Sequence, residues 1–185
     1  ATEPALANYK YYIENLVRLA EHILPAQMEE LLAQSRLATG SASTAFRSLV
    51  SADMQFPKIT NGNGNEATVS EGNYLLNMTS PDRELRKNSF QGLMGTYHKY
   101  RNTLASTLTG SCRTANFYAT AHKYPDTLTA SLAADNIPTS LYDGLIQTVH
   151  DNLAPLHEYM QLKKDVLGFE ELHPYDIYVS LSNAG

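Results

Sequence analysis

The sequence predicts an all-α fold, a multi-helix bundle of long helices with one small β-hairpin. Three observations carry that expectation. Apolar residues recur at steps of three and four over most of the chain, the spacing that lays them along one stripe of a helix. Capping oxygens and prolines stand together at Ser80-Pro81-Asp82 and Pro125-Asp126, as helix starts require. A single turn-rich stretch, Asn61-Gly62-Asn63-Gly64-Asn65, lies between Lys58-Ile59-Thr60 and Ala67-Thr68-Val69, as in a hairpin whose tight turn needs positive φ.

In chain order, Tyr9, Ile13, Leu16, Val17, Ala20, Ile23 and Leu24 form the buried stripe of a helix over about 6–24. Pro25 suits the first turn of a second helix over 25–38, with Met28, Leu31 and Leu32 inward and Thr39-Gly40 as the stop. A third helix, 42–55, carries Phe46, Leu49 and Val50 and ends before Pro57, which disfavours helical geometry in the residue ahead of it. The hairpin occupies 57–69, and Ser70-Glu71 opens a short helix over 71–78. From Ser80 one long helix is expected over 80–124, its stripe running Phe90, Leu93, Met94, Tyr97, Tyr100, Leu104, Leu108, Cys112, Ala115 and Ala119, with Gly110 a candidate bend. A short helix over 126–134 and a long one over 139–167 follow. Leu141, Leu145, Val149, Leu153, Leu156, Met160 and Val166 mark the buried side of the last, and Pro155 predicts a kink or restart near Asp151. Residues 171–182 read as extended, and no repeat of constant period suggests a solenoid.

A chain of 185 residues with 43% hydrophobic and 18% charged residues has the composition of a folded domain or a single lobe rather than of disorder. Net charge is −5 with Lys and Arg scattered, which excludes a basic face for nucleic acid. No apolar run approaches the ~18 residues of a membrane span. The lone Cys112 rules out an internal disulfide framework and points to a reducing, cytoplasmic setting. The sequon Asn77-Met78-Thr79 reads as chance. An initial Ala and an open tail, Ser182 to Gly185, lead to the expectation of a segment cut from a longer chain.

Catalytic motifs are scarce. His157-Glu158-Tyr159-Met160-Gln161 begins like the zinc motif HExxH, but that motif needs two imidazoles one turn apart with the Glu as base, and Gln161 is a poor ligand. His150 and His157 are two helical turns apart, ~10 Å, too far to share one ion directly. His22, His98, His122 and His173 have no ligand partners at suitable spacing and read as structural. Cys112 reads as a small buried hydrophobe. Neither a GxxxxGK[ST] loop nor a GxSxG elbow occurs.

Several segments in order resemble the oligoendopeptidase F family of thimet-oligopeptidase-like zinc metallopeptidases: Ala52 to Pro57, Ser80-Pro81-Asp82-Arg83 with Arg86-Lys87, Asn102 to Ala105 with Gly110, Ala121 to Tyr124, Ala130 to Leu132, Asn136 to Pro138, Tyr142-Asp143, and Leu172 to Val179. The resemblance covers nearly the whole chain. His122 stands where the family is expected to have Arg, and Ser180 where it has Pro.

The resemblance implies a parent enzyme that hydrolyses short peptides by zinc-assisted attack of water, its HExxH lying downstream of these residues. It implies that this chain is a non-catalytic helical part of a substrate-channel wall, with no metal of its own and inactive alone. Tyr175, Asp176 and Tyr178 are the channel-facing candidates, since they lead toward the catalytic region. The expected partners are that region and the parent's oligopeptides, with self-association through bare apolar surface a further expectation. The competing reading is a free-standing helical module that binds a peptide or helix on its Tyr-rich faces.

Overall fold

Most of the described residues wind into helices. The computed structural model describes residues 4–181. A 3-10 turn, Pro4–Tyr9, leads into α1 (Lys10–Ala20), α2 (Ala26–Thr39), α3 (Ser41–Ser48) and a π turn, Leu49–Asp53. The hairpin pairs β1 (Lys58–Thr60) with β2 (Glu66–Thr68), Ile59 opposite Ala67. Then come α4 (Glu71–Met78), α5 (Arg83–Lys99), α6 (Arg101–Ala121), α7 (Thr127–Ala133), α8 (Thr139–Asp151), α9 (Leu153–Leu167) and a 3-10 turn, Pro174–Asp176. The all-α fold with one small hairpin is thus present. Among the described residues no helix is long and apolar enough to cross a membrane.

The contacts separate two compact units: the chain up to Arg47 with Ala105–Ile146, and Ser48–Leu104 with the chain from Gln147. In the second, Ile59, Val69 and Leu93 form a small core joined by Phe56, Tyr74, Leu85 and Tyr97. The hairpin's outward carbonyls are covered by amides. Asn88 of α5 donates to Thr60 C=O at 2.8 Å, and Asn73 and Asn77 of α4 donate to Thr68 C=O at 3.1 and 3.0 Å. The sequon asparagine is therefore engaged in the fold, its amide also reaching Ser89 Oγ at 2.9 Å.

In the first unit, α6 lies against α2 and α3 through small and hydroxyl residues. A Cβ on Gly110 would stand 2.7 Å from Ala42 Cβ. Thr114 donates to Thr39 C=O at 3.2 Å, and the Tyr118 hydroxyl lies 2.9 Å from both Ser35 Oγ and Thr39 Oγ1. Two connections are laced by a reciprocal pair: His22 Nδ1 donates to His122 C=O at 2.8 Å and His122 Nδ1 to His22 C=O at 3.0 Å. The Tyr124 ring stacks on His22 at 3.6 Å.

Several sequence expectations change. The helix expected over 80–124 is two helices, because Tyr100 leaves helical geometry (φ −97°, ψ 10°); periodicity is blind to a one-residue break. It starts at Arg83 with Asp82 as the cap, whose Oδ1 accepts from Glu84 and Leu85 N–H. α6 runs unbroken through Gly110, which permits the close approach of Ala42. Thr39-Gly40 is only a brief interruption, since Gly40 stays right-handed and α3 begins at once. The restart expected near Asp151 is present: α8 ends there and α9 follows Asn152, with Pro155 in its first turn, where its missing N–H costs nothing. Residues 171–181 are turns and a 3-10 segment rather than extended chain, and residue 182 lies outside the described residues.

The apolar stripes also shift. Cys112 and Leu108 are exposed, whereas Ala119 of the same expected stripe is buried; beside it Gly110, Thr114 and Tyr118 make the contacts to α2 and α3. Tyr9, Leu16, Val17, Met28, Leu31, Leu141, Leu145 and Val149, all expected inside, are exposed. Gly95 of α5 has nothing within 4 Å of a would-be Cβ. Gly95→Ala is therefore expected to stabilise the chain by up to ~1 kcal/mol through helix propensity alone. A urea midpoint unchanged or lowered by this substitution would contradict it.

Candidate functional site

Arg83 and Arg86 are three apart on α5, so their side chains share one face of that helix. Both turn to a single carboxylate. Arg83 Nε and Nη2 donate to Asp176 Oδ1 and Oδ2 at 3.1 and 2.9 Å, and Arg86 Nη2 donates to Oδ1 at 2.8 Å. His173 N–H adds a fourth bond to Oδ2 at 3.1 Å, which winds Pro174–Asp176 into its tight turn. Asp176 is 0% exposed and Arg86 1%.

Arg86 also donates to backbone: Nε to Tyr175 C=O at 2.9 Å, Nη1 to Ser80 and Pro81 C=O at 2.8 and 3.1 Å. Lys163 of α9, 3% exposed, donates to Ile177 and Val179 C=O at 2.6 Å each. The segment 173–179 is thereby tied to α5 through Asp176 and to α9 through Lys163. Arg83 also lies 4.0 Å from the Phe169 ring centroid, a cation–π contact, and donates to Glu171 C=O at 3.0 Å.

The electrostatics match this geometry. Burial by itself would raise the Asp176 carboxyl, but hydrogen bonds from Arg83, Arg86 and the His173 N–H outweigh it and hold the group below the ordinary carboxylate value. Burial pushes the Lys163 amine below its ordinary value, and the Arg86 charge adds to that, against a partial offset from Asp176. The Tyr74 phenol is pushed up by burial and then by the nearby Tyr178.

The structure brings Tyr175 and Asp176 into this cluster and leaves Tyr178 on the surface, 55% exposed. Tyr175 is half-buried, stacked on His173 with ring centroids 4.9 Å apart. An ionised carboxylate that already accepts four hydrogen bonds and is shielded from solvent is an anchor, with no lone pair turned toward a ligand. Reading the sequence for chemistry missed Lys163. One signal was available: it falls three residues after Met160, on the side of the helix expected to be buried, and a lysine there needs acceptors.

A zinc ion does not fit these residues. Gln161, where HExxH would have its second histidine, donates its amide to Asp165 at 2.8 Å. His150 and His157 are exposed, and among the described residues no three His, Cys, Asp or Glu side chains converge as a metal site.

Comparison with known proteins adds the remaining findings. Residues 1–56 match the family model described as Oligopeptidase F, and residues 76–184 match that of Peptidase family M3. The chain is 39% identical over 94% of its length to Oligopeptidase PepF of Bacillus subtilis (strain 168), covering 26% of that protein. It is 37% identical over 97% of its length to Group B oligopeptidase PepB of Streptococcus agalactiae serotype III, covering 30% of it. The crystal structure of oligoendopeptidase-F from Enterococcus faecium superposes with a TM-score of 0.88 at 38% identity, over 98% of this chain and 36% of that one. The chain thus spans between about a quarter and a third of the relatives it matches.

Proposed function

The chain belongs to peptidase family M3, and on that premise we propose that it serves as a non-catalytic helical part of a zinc-dependent oligopeptidase. One observation carries the reading. Over nearly its whole length the chain aligns with proteins named as oligopeptidases, of which it spans less than a third, and no HExxH occurs in its 185 residues. The zinc and the general base then belong to the portion of the peptidase that this chain does not include, and that portion is its natural partner.

The outward apolar faces of α1, α2 and α8 support this. A helix apolar on the side it turns to solvent is one that another surface covers in the complete protein. Within the channel wall, Tyr178 is the residue we assign to oligopeptide contact, with Tyr175 beside it. Asp176 holds the segment that carries both. A cytoplasmic location is part of the same proposal.

The test is direct. The purified chain should show no turnover of internally quenched oligopeptides and no stoichiometric zinc, under conditions where the full-length Bacillus subtilis relative is assayed as the reference. Zinc-dependent cleavage by the chain alone would overturn the proposal. Tight capture of one peptide without cleavage would favour the helical interaction module instead.

A further inference from the structure

Two Asn-Gly pairs lie two residues apart in the β1–β2 loop, and the fold treats them differently. Asn-Gly is the dipeptide in which a backbone nitrogen most easily reaches the preceding side-chain carbonyl, because glycine puts no side chain in the way.

Asn61-Gly62 is locked. Asn61 Oδ1 accepts from Asn63 and Asn65 N–H at 3.1 and 2.9 Å, which fixes the carboxamide. The nitrogen that would have to attack, Gly62 N, donates to Asp82 Oδ2 at 2.7 Å. Asp82 is kept ionised, its carboxyl lowered first by that bond to Gly62 and further by those from Leu85 and Glu84. A fixed negative charge against the Gly62 N–H opposes loss of its proton.

Asn63-Gly64 is open. Asn63 is exposed, and its carboxamide makes no hydrogen bond among the described residues. Gly64 has φ +78° with nothing within 4 Å of a would-be Cβ, and its N–H donates only to the neutral Asn61 C=O, at 3.0 Å.

We propose that Asn63 is a site of spontaneous, structure-selected deamidation, and that Asn61, in the same dipeptide two residues earlier, is protected from it. Hydroxide removes the Gly64 amide proton, and the nitrogen attacks Asn63 Cγ. The new C–N bond forms as the Cγ–Nδ2 bond breaks, and the departing nitrogen takes a proton from water to leave as ammonia, which restores the hydroxide. Water then opens the succinimide at either carbonyl, giving aspartate or isoaspartate, with no change of oxidation state. The isoaspartate route inserts a methylene into the turn and draws Gly64 N–H away from Asn61 C=O.

The experiment incubates the intact chain in mildly alkaline buffer, digests timed samples in acid, and locates the mass gain and isoaspartate by fragmentation. A synthetic peptide spanning residues 59–69, where neither lock exists, is the reference. Conversion in the chain should favour Asn63 over Asn61 by about tenfold or more, the factor in rate that one hydrogen bond to a charged group is worth. Asn63→Gln should abolish the fast conversion and leave Asn61 intact. Equal conversion at both sites, Asn61 leading, or no conversion at Asn63 while the peptide reacts would each overturn the proposal.

Discussion

Replacing Asp176 with Asn is expected to destabilise the second unit by roughly 3–5 kcal/mol, the cost of removing one partner from a buried ion pair. The loss comes less from the vanished attraction than from what remains: Arg86, 1% exposed, would keep its charge with only neutral acceptors around it. Arg83, partly open to water, can recover hydration, so Arg83→Ala should cost distinctly less than Arg86→Ala. Urea unfolding of the three variants checks the order. A change under about 1 kcal/mol for Asp176→Asn would show that the turn is held by its backbone and not by this carboxylate.

The same group makes stability depend on acid. Because the folded-state carboxyl titrates below its ordinary value, the unfolded chain binds more protons in the interval between the two. The contribution is complete above the ordinary carboxylate range, at about pH 4, and is lost as pH falls through the lowered folded value. Asp176→Asn should remove that part of the acid transition. An unchanged acid profile in the variant would assign the transition to other groups.

Gly110→Ala is expected to destabilise the first unit by about 1–2 kcal/mol, even though alanine favours a helix by up to ~1 kcal/mol. The new methyl would meet Ala42 Cβ at 2.7 Å, closer than two side chains can stand, so α3 or α6 must shift. The double variant with Ala42→Gly moves the methyl to the other helix and should recover most of the loss. The cycle should show a coupling of about 1–3 kcal/mol. Additive effects would mean that the helices separate at no cost, and that the approach of α6 to α3 does not need glycine.

Much of this fold is written locally. Ser70 caps α4 with Asn73 returning the bond, Asp126 caps α7, and the Asn-Gly stretch turns the hairpin, each through contacts within a few residues. Local signals also located the restart before Pro155. What failed was the choice of the inward face. In α6, apolar spacing pointed to Leu108 and Cys112, while the face that packs is lined by Gly110, Thr114 and Tyr118. Close helix approach selects small size and hydroxyl donors, and hydrophobicity does not register either.

The candidate site was legible only in part. Tyr175, Asp176 and Tyr178 could be singled out as a group, but not told apart, since nothing in their order says which is buried. The sequence by itself determined where the capped helices begin, though not the break at Tyr100, where the hairpin turns and which family the chain resembles, because those depend on neighbours along the chain. Tertiary structure alone decided that Asp176 meets Arg83 and Arg86 some ninety residues away, that Lys163 is buried against carbonyls, and that Asp82 holds the N–H of Gly62 but not that of Gly64. Partners that distant share no local pattern; only the fold brings their charges within hydrogen-bond reach.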